Sequence, residues 1–172
     1  MENALCLSID LYKMNIDTTV IIIPYSSELK QEIKILNLEW LKKYFKVEAK
    51  DERMLSDPQG EIIDQGGMIF YAKYNNKIVG TVSLIKINET TFELSKMAVT
   101  DGVQGLGIGH KLMEHCLFIA NEKQIKKLIL YSNRKLLPAI YLYEKFGFEE
   151  VSLEYGHYER ADIKMEKNIF LF

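Results

Sequence analysis

The chain has 172 residues, enough for one domain with a substantial core. Its 48% hydrophobic and 27% charged residues are an ordinary globular composition. Lys and Arg total 22 against 24 Asp and Glu, which leaves no basic excess for nucleic acid, and no apolar run approaches the roughly 20 residues that cross a bilayer.

Residues 1–17 have weak periodicity and read as an N-terminal extension, with residues 18–172 as a single domain. Glu2 and Asp10, with no basic start or small-residue cleavage site, argue against a signal peptide. Thr19 to Ile23 is a β-branched run stopped by Pro24, a first strand. Ser26 or Ser27 then caps a helix running to about Phe45, with Leu29, Ile33, Leu36, Trp40 and Tyr44 on one face. A shorter helix around Asp51 to Leu55 ends before Asp57-Pro58.

From Gly67 the period changes. Met68–Tyr74, Lys77–Ile87 and Thr91–Val99 are rich in β-branched and aromatic residues, joined by Asn75-Asn76 and Asn88-Glu89 as hairpins. Gly107 to about Lys123 is helical, with Ile108, Leu112, Cys116 and Ile119 or Ala120 on one face. Leu128–Tyr131 is a short strand, and Leu136–Phe146 a helix closed by Gly147. Phe148–Leu153 and Ala161–Glu166 supply two last strands. This order makes a mixed α/β sheet rather than a regular βαβ repeat.

Cys6 and Cys116 lie far apart in sequence and resemble neither a disulfide framework nor a metal knuckle, so reduced thiols and a cytoplasmic protein are expected. The sequon Asn88-Glu89-Thr90 then has no use. His110, His115 and His157 have no metal spacing, and no metal cofactor is expected.

The segment with the most chemistry runs from Val99 to Lys111, where a strand ends and Gly105, Gly107 and Gly109 open a helix. Exposed N–H groups and the helix dipole suit a pyrophosphate there, and glycine lets the backbone come close. A tight strand-to-helix connection is the plainer alternative. A dinucleotide fingerprint begun at Gly105 needs glycine where His110 stands, and a P-loop needs Ser or Thr after Lys111, where Leu112 stands. What fits is Q-x-x-G-x-G, at Gln104, Gly107 and Gly109.

With Glu93–Val99, Leu130–Asn133 and Ala139–Phe148, this loop resembles the GNAT superfamily of acetyl-CoA-dependent N-acetyltransferases. The likeness runs in order through some 55 residues, and more loosely from Thr19 to Lys167. It implies a mostly antiparallel sheet with splayed central strands and helices on both faces. It also implies that backbone groups of Met97, Ala98 and Val99 bind the pantetheine arm, and that amides of Gln104, Gly105, Leu106, Gly107, Ile108, Gly109 and His110 hold the pyrophosphate. Asn133 would contact the cofactor, and Tyr143 would point at its sulfur. Gln104 stands where arginine is also common, so no guanidinium assists the phosphates. Similar proteins are commonly homodimers.

Amine acetylation needs a neutral nucleophile, and neutralising a lysine-like amine at pH 7 costs roughly 4.6 kcal/mol. Glu93 is the candidate base, directly or through water; its plainer reading is an exposed strand glutamate. A backbone N–H near Val99 would serve the oxyanion. Tyr143 is the candidate acid for the departing thiolate, within reach of it without large tuning, or else a core tyrosine beside Leu142 and Phe146.

At the acceptor end, Trp40, Tyr44, Glu48 and Asp51 form an aromatic and acidic mixture suited to a cationic amine, small-molecule or peptide. Glu154, Tyr155, His157, Tyr158 and Glu159 would form the opposite wall. The stretch Leu38–Glu48 through Asp51, Pro58 and Gly66-Gly67 resembles a bacterial GNAT subgroup sometimes fused to a MarR-type regulator. The expectation is therefore acetyl transfer from acetyl-CoA to a primary amine in a ternary complex. The alternatives are a non-catalytic acyl-CoA-binding or regulatory module on the same fold and, disfavoured by His110, a nucleotide-binding oxidoreductase.

Overall fold

A computed structural model describes residues 19–103, 105–154 and 156–169. The expected extension, 1–17, and Cys6, Gln104 and Tyr155 lie outside the described residues.

Strand β1 (Ile21–Pro24) ends on Pro24, which an edge position tolerates because no ladder N–H is needed there. A 3₁₀ turn at Ser27–Leu29 follows, and helix α1 spans Glu32–Tyr44. The expected serine cap does not form. Ser26 is extended and closes the 3₁₀ turn through its carbonyl, accepting from Leu29 N at 3.0 Å, so the α-helix begins later, at Glu32 with Gln31 as its N-cap. Helix α2 (Ala49–Ser56) is properly capped: Glu48 and Asp51 form a reciprocal capping box. A π-turn at Gln59–Ile63, which no periodicity announces, buries Ile62 and leads to β2.

Strands β2 (Met68–Tyr74), β3 (Lys77–Lys86) and β4 (Thr91–Val99) form the expected meander. Asn75 and Asn76 both take positive φ, 49° and 60°, as a two-residue type I′ hairpin requires. Asn88 Oδ1 closes the next turn by accepting from Thr90 N and Thr91 N at 3.0 and 2.9 Å. Helix α3 (Ile108–Glu122), β5 (Lys127–Ser132), α4 (Leu137–Lys145), β6 (Glu149–Val151) and β7 (Ile163–Asn168) complete the chain.

Among the described residues seven strands run β1-β2-β3-β4-β5-β7-β6, antiparallel except for β4 against β5. Each face carries its own core. Phe70, Leu84 and Phe92 pack with Leu112 and Met113 of α3 and Tyr143 of α4; Ile69 and Tyr71 pack with Ile33 and Leu41 of α1 and Leu55 of α2. Alternate β2 residues thus serve opposite layers, as the period of a strand dictates.

Two irregularities of β4 create the site. First, its parallel ladder with β5 covers only Thr91–Glu93 against Lys127–Ile129, and beyond that the strands part. This is the splay that the family resemblance implies. Second, Thr81 pairs with Ala98 and Ser83 with Ser95, so Val82 faces both Lys96 and Met97. That extra residue is a β-bulge, with Lys96 at φ 50°. It shifts the alternation: Phe92 and Leu94, then Met97 and Val99, all serve the α3 layer, while Lys96 serves the other. A left-handed lysine costs about 1–2 kcal/mol and needs holding. Asn37 of α1 supplies one hold, donating Nδ2 to the Lys96 carbonyl at 3.2 Å.

Candidate functional site

The parting of β4 from β5 opens a cleft of about 650 Å³. Met97, Ala98 and Val99 form one wall. Gly105, Gly107, Ile108, Gly109 and His110 also line it, with Asn133 and Tyr143. Trp40, Tyr44 and Asp51 complete the lining. Residues spread over about 100 positions of sequence therefore meet in one place. Leu106 is half exposed outside the cleft wall, and Glu48 and Glu93 stand behind it.

The turn before α3 depends on glycine for backbone reasons. Gly105 and Gly107 have φ 86° and 73°, and a Cβ at either would meet nothing within 4 Å. Space is not what excludes a side chain; the left-handed conformation is. Gly107 caps α3 without a side-chain hydrogen bond, and the first turn contains no acid. The first intrahelical bond is Lys111 N to Gly107 O, so the amides of Ile108, Gly109 and His110 have no acceptor within the helix, while Leu106 N donates to Val103 O at 3.4 Å. The helix start therefore keeps both its donors and its positive end for an external anion. His110 stands at the rim, its ring 4.5 Å from Phe146 and Nε2 3.4 Å from Glu114.

Tyr143 is 8% exposed, its ring edge-on to Phe148 at 6.1 Å. Burial pushes its hydroxyl pKa up to about 12. Easy proton transfer was the expectation, and burial corrects it. From a donor near 12 to a thiolate near 8.5, full transfer is uphill by roughly 5 kcal/mol.

Glu93 is not the exposed strand glutamate of its plainer reading. It is 2% exposed, accepts a 3.0 Å hydrogen bond from the Tyr158 hydroxyl, and has Lys50 Nζ at 3.9 Å. Tyr158, on the segment between β6 and β7, lines the cleft in front of it.

The acids nominated for a cationic acceptor are already committed within the chain. Asp51, fully buried, receives Lys96 Nζ at 2.9 Å and both terminal nitrogens of Arg160, at 2.6 and 3.1 Å. Burial alone would raise its pKa, but Lys96 and Arg160 outweigh burial and hold it below the usual carboxylate range. Lys96 shares that one carboxylate with Arg160, so for Lys96 burial wins and its pKa is lowered. Glu48 accepts from the backbone N–H of Glu159 and Arg160 and from the Arg160 guanidinium, tying α2 to the β6–β7 segment. On the opposite wall, His157 stacks on Tyr131 at 4.7 Å, and Glu154 faces Lys164. Asn133 spends its amide on Arg160 O at 2.7 Å and its carbonyl on Lys135 N at 2.9 Å. It shapes the end of β5 with the polar atoms assigned to the cofactor.

Lys96, Arg160 and Asn37 were not among the expected site residues. One signal for Lys96 existed: the apolar step from Leu94 to Met97 is three rather than two, the trace of a bulge. Arg160 offered none, since its partners lie about 110 residues away.

Cys116 is fully buried, and burial pushes its thiol pKa far up. Among the described residues no helix is long and apolar enough to cross a membrane.

Comparison with known proteins agrees with this geometry. The profile of the Acetyltransferase (GNAT) family matches residues 34–148. A [ribosomal protein bS18]-alanine N-acetyltransferase of Haemophilus influenzae is 33% identical over 87 residues, half of this chain and 58% of that protein's length. A GNAT-family acetyltransferase structure from Staphylococcus aureus Mu50 superposes with a TM-score of 0.80 at 26% identity, covering 88% of this chain and all of that one. The PaiA N-acetyltransferase of Thermoplasma acidophilum, solved in complex with coenzyme A, has the same fold, with a TM-score of 0.70, 20% identity and coverage of 87% and 99%. With two thirds of its length matched by the family profile, and with the parted β4–β5 pair and glycine turn in place, the chain belongs to the GNAT acetyltransferase family.

Proposed function

We propose that the chain is an acetyl-CoA-dependent N-acetyltransferase acting directly on a primary amine, with both substrates bound together. One observation carries the reading: the uncapped α3 start, the parted edge of β4 and the Tyr143 hydroxyl converge on a single cleft. Its dimensions and donors fit the cofactor, because an anion site continues into an apolar trough. Bound there, acetyl-CoA supplies an acetyl group activated as a thioester.

Amides of Gly105 and of Gly107 through His110 hold the diphosphate, and Met97, Ala98 and Val99 present backbone to the pantetheine arm. An N–H near Val99 steadies the carbonyl oxygen. Tyr143 hydrogen-bonds the departing sulfur. Glu93 takes the proton that a lysine-like amine must shed, at a cost of roughly 4.6 kcal/mol at pH 7, before it can attack. Trp40 and Tyr44 wall the acceptor end. The Haemophilus relative acts, by its name, on a protein's alanine terminus, so a peptide α-amine belongs among the candidates.

The test combines calorimetry of coenzyme A binding with acetyl-CoA-dependent thiol release. The acceptors are phenethylamine, spermidine, free alanine, an alanine-starting peptide and a lysine side-chain amine. Cofactor binding with turnover of at least one amine is expected. Absence of cofactor binding overturns the proposal, and binding without turnover leaves the non-catalytic acyl-CoA-binding module.

A further inference from the structure

The carboxylate assigned as base does not itself meet the cleft. Glu93 is 2% exposed and lies behind Tyr158, which does line it. The only hydroxyl bonded to Glu93 among the described residues is that of Tyr158, at 3.0 Å. The phenolic oxygen also accepts from Lys96 Nζ at 3.3 Å and lies 3.5 Å from Ser95 Oγ.

The ring is held as firmly as the hydroxyl. Lys50 Nζ lies 4.2 Å from its centroid, and Lys96 Nζ and the Arg160 guanidinium carbon each 4.9 Å. Three cations over one ring, with Tyr131 at 6.0 Å beside it, leave the hydroxyl little freedom to swing from Glu93.

We infer that the Tyr158 hydroxyl is a further catalytic group, the link through which the acceptor amine gives its proton to Glu93. This rests on the transferase reading above. In the step, an N–H⁺ of the acceptor passes its proton to Tyr158 Oη while the proton already on Oη moves to Glu93 Oε1. The amine becomes neutral, Tyr158 ends as it began, and Glu93 becomes the protonated acid; nothing is oxidised or reduced. Burial first, and then the charge of Glu93, raise the Tyr158 pKa, so the phenol keeps its proton at rest and serves as a relay rather than a resident tyrosinate. The charged groups around it are Lys50 and Asp51 of α2, Lys96 of β4 and Arg160.

The test is Tyr158→Phe, which keeps the ring and its three cations and removes the hydroxyl with its bonds to Glu93 and Lys96 Nζ. Turnover of the fastest alkylamine in the panel falls by about 10²–10⁴-fold. Turnover of hydroxylamine, already unprotonated at neutral pH, falls far less. Coenzyme A affinity by calorimetry and the melting temperature stay near wild type. The rate profile moves to alkaline pH, following the fraction of neutral amine, and Tyr158→Phe/Glu93→Gln is no slower than Glu93→Gln alone. A Tyr158→Phe enzyme with near-wild-type alkylamine turnover, or one that loses alkylamine and hydroxylamine turnover alike, overturns the relay and leaves the transferase reading standing. A wild-type protein that binds coenzyme A and turns over no amine removes both.

Discussion

Lys96 Nζ lies 2.9 Å from Asp51 Oδ1 in a buried pair that ties the bulge of β4 to helix α2, and Asp51 is shared with Arg160. The sharing makes the two partners unequal. Asp51→Asn leaves two cations facing one another near the core and costs about 3–5 kcal/mol, as breaking a buried ion pair does. Lys96→Met leaves Asp51 with its Arg160 contacts and a side chain of similar length in the same space, so the loss is smaller. Urea denaturation of the two variants checks the order, and equal losses would contradict it.

Acid should expose the same carboxylate. The folded-state pKa of Asp51 is held below its unfolded value, so its contribution to stability is complete above the unfolded pKa and is lost as pH falls through the folded one. With an unfolded value of about 3.9, the window lies below about pH 5. Unfolding free energy measured from pH 6 to pH 3 should therefore fall more steeply for wild type than for Asp51→Asn. Parallel curves would show that Asp51 carries none of the slope.

Tyr143→Phe removes one hydroxyl and almost no volume from a buried position. Its effect belongs in turnover, with kcat down by about 10²–10⁴-fold and acetyl-CoA affinity held within a few-fold. Because burial sets that hydroxyl at about 12, the alkaline limb it imposes on losing its proton should lie well above neutral pH. Steady-state kinetics with calorimetry separates the two effects; a variant that binds the cofactor poorly would place Tyr143 in binding instead.

Gly107→Ala tests the turn before α3. The added methyl meets nothing within 4 Å, so any penalty comes from the left-handed φ of 73°, about 1–2 kcal/mol. Part of it should surface as weaker coenzyme A binding by calorimetry, because relaxing φ re-aims the amides at the helix start. Gly109→Ala, with ordinary contacts at 3.5 and 3.6 Å to Leu142 and Met97 and no positive φ, should be milder.

Periodicity alone located nearly every element, because a strand alternates every two residues and a helix every 3.6 wherever one face is buried. Asn75-Asn76 announced its hairpin, and the glycines at 105, 107 and 109 announced an anion-suited helix start, since turn chemistry is local. What the pattern did not hold was the serine cap that failed, the bulge at Lys96, and the whole charged cluster. Whether Glu48 and Asp51 face an incoming amine or Arg160 depends on which side chain arrives across the sheet from about 110 residues away. The burial of Glu93 behind Tyr158 has the same origin: a strand residue's face is written in sequence, but what covers that face is decided only when distant segments pack and exclude water.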